Sequence, residues 1–134
     1  MLFLIIASLF FFTSHAGILD VEKIYELNRE ISVFNGTSYT GSYILDLTNK
    51  ELDSLSGISK IKVKYKDFVV PVVTVKRLYL KVSHNKLKEL PEEITKLQLV
   101  AIELINNKDI TISYKIKKSM EKCYFYLKQE DLFN

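Results

Sequence analysis

Between Leu80 and Leu97 the spacing of the apolar residues changes partway, and few folds accommodate that change. Leu80 and Val82 alternate as strand residues do, Leu87 and Leu90 follow at intervals suited to a turning loop, and Ile94 and Leu97 are spaced as helical neighbours. One short unit, L80-K-V-S-H-N-K-L-K-E-L-P-E-E-I-T-K-L97, therefore changes secondary structure along its length.

The unit has relatives within the chain. In Y43-I-L-D-L-T-N-K-E-L-D-S-L55, residues Leu45, Leu47, Leu52 and Leu55 match Leu80, Val82, Leu87 and Leu90 in spacing. A third unit starts with Leu99, Ile102 and Leu104 and reaches Asn107. Leu45 precedes Leu80 by 35 residues and Ile102 follows it by 22, so residues 57–77 do not fit a regular array. Within them I61-K-V-K-Y65 alternates as a strand with one wet face, and Lys66-Asp67 suits a turn. The run F68-V-V-P-V-V-T-V75 contains Pro71, which removes a ladder hydrogen bond and places the run at an edge, at a bend, or in two pieces.

The stretch N85-K-L87-K-E-L90-P91-E-E-I94-T-K-L97, with Leu80 and Val82 before it, resembles the leucine-rich repeat family, whose pattern is L-x-x-L-x-L-x-x-N-x-L. The resemblance implies that Leu80 and Val82 lie on a short parallel strand and that Asn85 turns the chain by bonding backbone groups. It also implies that Leu87, Leu90, Ile94 and Leu97 fill the core on the return path, with Pro91 starting the convex segment. The other units depart from the pattern: Lys50 and Ser56 hold the asparagine and proline positions of the first, Arg77 stands where the second expects leucine, and Asp109 does so in the third. The fold expected on this basis is α/β: a short leucine-rich-repeat solenoid with a parallel sheet, an amino-terminal capping helix and an irregular middle segment.

The capping helix is placed at 18–34, where Val21, Ile24, Tyr25, Leu27 and Ile31 give an apolar stripe and Asp20 is the candidate N-cap. At the other end D109-I-T-I-S-Y-K-I116 reads as a terminal strand, and residues 119–132 as either a helix or a strand. The expected organisation is a signal peptide over 1–16, an amino-terminal helix and loop over 17–42, the repeat region over 43–110 with 57–77 divergent, and a carboxy-terminal cap over 111–134.

The leader rests on the apolar run L2-F-L-I-I-A-S-L-F-F-F12 followed by Ser14 and Ala16, small residues suited to cleavage before Gly17. It points to secretion, leaves no stable membrane span after cleavage, and gives Asn35-Gly36-Thr37 meaning as an N-glycosylation acceptor at Asn35. Removing it leaves the formal charge at +3, because none of residues 1–16 is Lys, Arg, Asp or Glu. The basic residues alternate with apolar ones or mix with acids, a pattern of solvated strand faces that argues against nucleic acid as partner. Cys123 is the single cysteine, so the monomer has no disulfide, and the thiol is either buried or open to an intermolecular bond.

If the strands align, their outward positions are Asp46, Thr48 and Asn49, then Lys81, Ser83 and His84, then Glu103, Ile105 and Asn106. Both charge signs, hydroxyls and amides suit a modest polar protein interface. Catalysis finds little support: His84 is the sole histidine after cleavage, Cys123 is distant in sequence, and Ser83 and His84 are adjacent strand residues that point to opposite faces. One His and one Cys make no metal site, and no glycine-rich loop suits a phosphate, so neither metal nor cofactor is expected. The expected role is a small secreted protein-binding module whose partner is another protein. Its alternatives are a non-binding extracellular structural protein and a fragment of a longer repeat receptor.

Overall fold

The computed structural model describes residues 17–34 and 37–133. The expected leader, and Asn35 and Gly36 of the expected glycosylation acceptor, lie outside these residues. Among the described residues eight strands form two sheets. They are β1 (Ile24–Glu26), β2 (Asn28–Phe34), β3 (Thr37–Asp46), β4 (Lys62–Tyr65), β5 (Phe68–Pro71), β6 (Leu78–Lys81), β7 (Leu99–Glu103) and β8 (Tyr124–Tyr126). One α-helix, α1 (Tyr114–Ser119), and four 3-10 turns complete the described elements.

The larger sheet has the order β2-β3-β6-β7-β8. Its β3, β6, β7 and β8 run parallel, while β2 is antiparallel to β3. The register sets Leu45 beside Leu80, Leu80 beside Ile102 and Ile102 beside Phe125. Successive strand side chains alternate between faces, so Leu45, Leu80 and Ile102 share the inner one and are buried. Leu47, Val82 and Leu104 continue that face, and Leu52, Leu55, Leu87, Leu90, Ile94 and Leu97 close on it from the connecting segments. Pro91 caps the 3-10 turn Glu92–Lys96, where Ile94 is the buried residue.

The solenoid expectation is overturned. The described residues form a small mixed domain of two sheets with one α-helix, and it is not a stacked array. The divergent residues 57–77 build a sheet of their own: β4 and β5 pair antiparallel and join β1 in a separate three-stranded sheet of order β1-β4-β5. Ile61, Val63 and Val72 from this region enter the common core with no exposed surface. Pro71 ends β5 at the sheet edge, and the chain passes directly into the 3-10 turn Val72–Thr74.

The amino-terminal capping helix is overturned too. The Asp20 carboxylate accepts from the Glu22 amide and its carbonyl from the Lys23 amide, which makes a turn and starts no helix. Beyond it β1 pairs parallel with β4, and β2 pairs antiparallel with β3. The helical stripe fails as a buried face: Val21 and Ile24 are exposed, Tyr25 is half-buried and Leu27 is buried. Two ready strand partners outweigh a weak helical period, the ordinary way in which tertiary pairing overrides local propensity.

The terminal strand expected over 109–116 is replaced by an isolated bridge between Glu89 and Thr111 and by α1. The Ser113 hydroxyl accepts from the Ile116 amide at 3.2 Å, an N-cap that turns the run into a helix and brings Ile116 into the core. Residues 124–126 form β8, and Gln129–Phe133 a final 3-10 turn. Among the described residues no helix is long and apolar enough to cross a membrane.

Candidate functional site

The face of the larger sheet turned away from the core carries two rows. Ile44, Tyr79, Ala101 and Tyr124 form one, and Asp46, Lys81, Glu103 and Tyr126 the next. Ile44, Tyr79, Ala101 and Tyr126 pack into a second, smaller apolar cluster, so this face is partly sealed. Tyr79 and Tyr126 have ring centroids 6.4 Å apart.

Glu103 is 9% exposed, and Ser83 is 1% exposed. Their placement follows from bonding: Ser83 Oγ donates to Glu103 Oε2 at 2.7 Å, and Tyr79 Oη donates to Glu103 Oε1 at 3.1 Å. Ser83 Oγ also accepts from the Ile105 amide at 3.0 Å, and the Ile105 side chain is itself buried. Burial, with the Glu103 carboxylate second, pushes the Tyr79 phenol far above its ordinary range and keeps it a hydrogen-bond donor. Ser83, Glu103 and Ile105 thus hold the sheet face together and are not presented to a ligand. Ser83→Ala is expected to cost about 2 to 3 kcal/mol in urea unfolding, because it orphans the buried Ile105 amide and one Glu103 oxygen.

The other expected positions remain accessible. Asp46 is exposed, and Thr48 and Lys81 are half-buried. Burial alone would raise the Asp46 carboxyl, but bonds from Thr48 and the charges of Lys81 and Lys50 outweigh it and hold the group below its usual range. Lys81 Nζ sits 5.6 Å from the centre of the Tyr79 ring. Asn49, His84 and Asn106 are exposed and adopt left-handed backbone angles, with φ of 57°, 57° and 58°. His84 Nδ1 and Asn106 Nδ2 lie 3.0 Å apart.

Thr48, Asn49, His84 and Asn106 line one open groove of about 1010 Å³ where β3, β6 and β7 run into their loops. Glu51, Asp53, Lys86, Lys88 and Lys108 line it as well. Sequence reasoning missed these five charged side chains because they lie past the strands, two or more residues beyond the outward positions it counted. Their signal was the common offset: Glu51, Lys86 and Lys108 stand equally far beyond Asp46, Lys81 and Glu103.

Two asparagines fix the floor. Asn85 Oδ1 accepts from the Lys50 and Leu52 amides, each at 3.0 Å, while its Nδ2 donates to the carbonyls of Leu47, Val82 and Ser83. Asn107 repeats the arrangement: Oδ1 accepts from the Leu87 amide, and Nδ2 donates to the Val82 and Leu104 carbonyls. The asparagine missing at position 50 is not replaced by Asn49, which is exposed. Asn85 reaches back from the next loop to satisfy the Lys50 amide.

Cys123 is buried, and burial pushes its thiol up to about 12, so it is protonated at neutral pH and a poor nucleophile. The Ser83 hydroxyl donates to the Glu103 carboxylate and accepts from the Ile105 amide, and both it and Glu103 are buried in the sheet face away from the groove. What the groove offers is hydrogen bonding and charge of both signs. Comparison with known proteins yields no family model, no curated protein and no solved structure that matches the chain.

Proposed function

We propose that the chain is a small secreted protein-binding module and that its ligand is an extended polypeptide segment laid across the groove. The observation that carries this reading is the groove itself: three successive loops present Asn49, His84 and Asn106 from a floor tied down by Asn85 and Asn107. Residues held in left-handed conformations by a bonded scaffold are pre-organised, which lowers the entropic cost of binding. The groove is wide and open and is lined by polar and charged residues, whereas small-molecule sites are enclosed and lined mainly by hydrophobic ones. A polypeptide fits it better, because main-chain amides and carbonyls match side-chain amides and mixed charges match mixed charges.

A random dodecapeptide display library panned on the full chain tests the reading. An enriched peptide should lose at least tenfold in affinity, read by fluorescence anisotropy, on the variant Thr48→Arg/Lys86→Glu/Lys108→Glu. Lack of enrichment over a blank surface, or equal affinity for the variant, would sink it.

A further inference from the structure

The charged side chains that line the groove are sorted by loop. Glu51 and Asp53 stand on the loop after β3, Lys86 and Lys88 on the loop after β6, and Lys108 on the loop after β7. All five are exposed. The loops keep the strand register: the Asn49 amide donates to the Ser83 carbonyl at 3.1 Å, and the His84 amide to the Ile105 carbonyl at 2.8 Å. Further along, Asn85 and Asn107 accept from the Leu52 and Leu87 amides, the residues directly after Glu51 and Lys86. Glu51, Lys86 and Lys108 therefore form a row across the groove, with about 4.8 Å between neighbouring loops. Lys88 Nζ donates to the Lys108 carbonyl at 3.4 Å, which ties the two basic loops together. Acids and bases face each other along this row without pairing, since among the described residues the salt bridge is Lys115 with Glu92, outside the groove.

We infer, given that the groove takes a polypeptide, that it selects an extended segment carrying a base and an acid two residues apart. The base lies over Glu51 and Asp53, and the acid over Lys86, Lys88 and Lys108. Loop spacing sets the separation: from the acidic loop to the middle of the two basic loops is about 7 Å. Side chains two residues apart on an extended chain project to the same face, also about 7 Å apart. Adjacent residues point to opposite faces, so only one of such a pair reaches the row. A segment of uniform charge is selected against, because a polyanion meets Glu51 and Asp53 at one end and a polycation meets the lysines at the other.

The test is a display library of dodecapeptides, random except that the fifth and seventh positions each carry Lys, Glu or Gln, panned on the full chain. Peptides with Lys at one position and Glu at the other should outnumber those with Gln at both by about 25-fold, at about fivefold per exposed charge pair. Glu51→Gln/Asp53→Asn should abolish the preference for Lys and keep that for Glu. Lys86→Gln/Lys108→Gln should remove most of the preference for Glu and keep that for Lys. These substitutions fall on exposed side chains, and thermal unfolding followed by circular dichroism checks that each variant is folded. Enrichment without a charge preference, or with the same charge preferred at both positions, would overturn the inference. If those peptides still lose affinity for Thr48→Arg/Lys86→Glu/Lys108→Glu, the groove remains a polypeptide site of another specificity. No enrichment over a blank surface would rule out both.

Discussion

Asn85→Ala is expected to lower the free energy of unfolding by about 4 kcal/mol, a large part of the roughly 5–15 kcal/mol that holds a domain of this kind folded. The Asn85 side chain is buried and engages five backbone groups in two segments: the amides of Lys50 and Leu52 with the carbonyl of Leu47, and the carbonyls of Val82 and Ser83. Alanine supplies none of these bonds, and orphaned buried groups cost about 1–3 kcal/mol each before relaxation or entering water recovers part of it. Asn85→Asp is expected to recover only a fraction, since it keeps an acceptor for the two amides but sets a carboxylate against three carbonyl oxygens. Urea unfolding followed by far-ultraviolet circular dichroism reads the difference. Lys86→Ala, an exposed neighbour, should stay within about 0.5 kcal/mol of the parent. An Asn85→Ala loss below about 1 kcal/mol would mean that the floor of the groove does not depend on this side chain.

The same residue shows how far the sequence could be read. Asn85 is visible as a polar residue in the middle of an apolar pattern, and local spacing is enough to place its neighbours Leu80, Val82 and Leu87 in the core. That spacing carries no information about which loop the asparagine serves. It serves residues 33 to 38 positions earlier, in the preceding loop. The helix expected over 18–34 failed for a related reason: strand pairing depends on a distant partner, and Ile24 and Tyr25 reveal nothing locally of Lys62 and Val63. Glu103 was legible as an outward strand position and no more. Its burial depends on Tyr79 and Ser83 arriving from the adjacent strand, 24 and 20 residues away in the chain.

Leu80→Ala is expected to cost about 3 to 4 kcal/mol and to lower the melting temperature by about 10 to 15 °C. Leu80 has no exposed surface and stands in register between Leu45 and Ile102, with Leu47, Val82 and Leu104 one step further along the same face. Neighbouring strands are pinned by their hydrogen bonds, so they cannot close on the lost side chain, and most of the cavity persists. Its neighbour Lys81 tests the alternation. Lys81→Ala removes a half-buried side chain from the opposite face and should cost no more than about 0.5 kcal/mol beyond its loose contact with the Tyr79 ring. Leu80→Met separates volume from shape: an unbranched residue of similar size should cost less than about 1.5 kcal/mol. Comparable losses for Leu80→Ala and Leu80→Met would attribute the effect to side-chain branching; comparable losses for Leu80→Ala and Lys81→Ala would contradict the assignment of faces on which both the core and the groove depend.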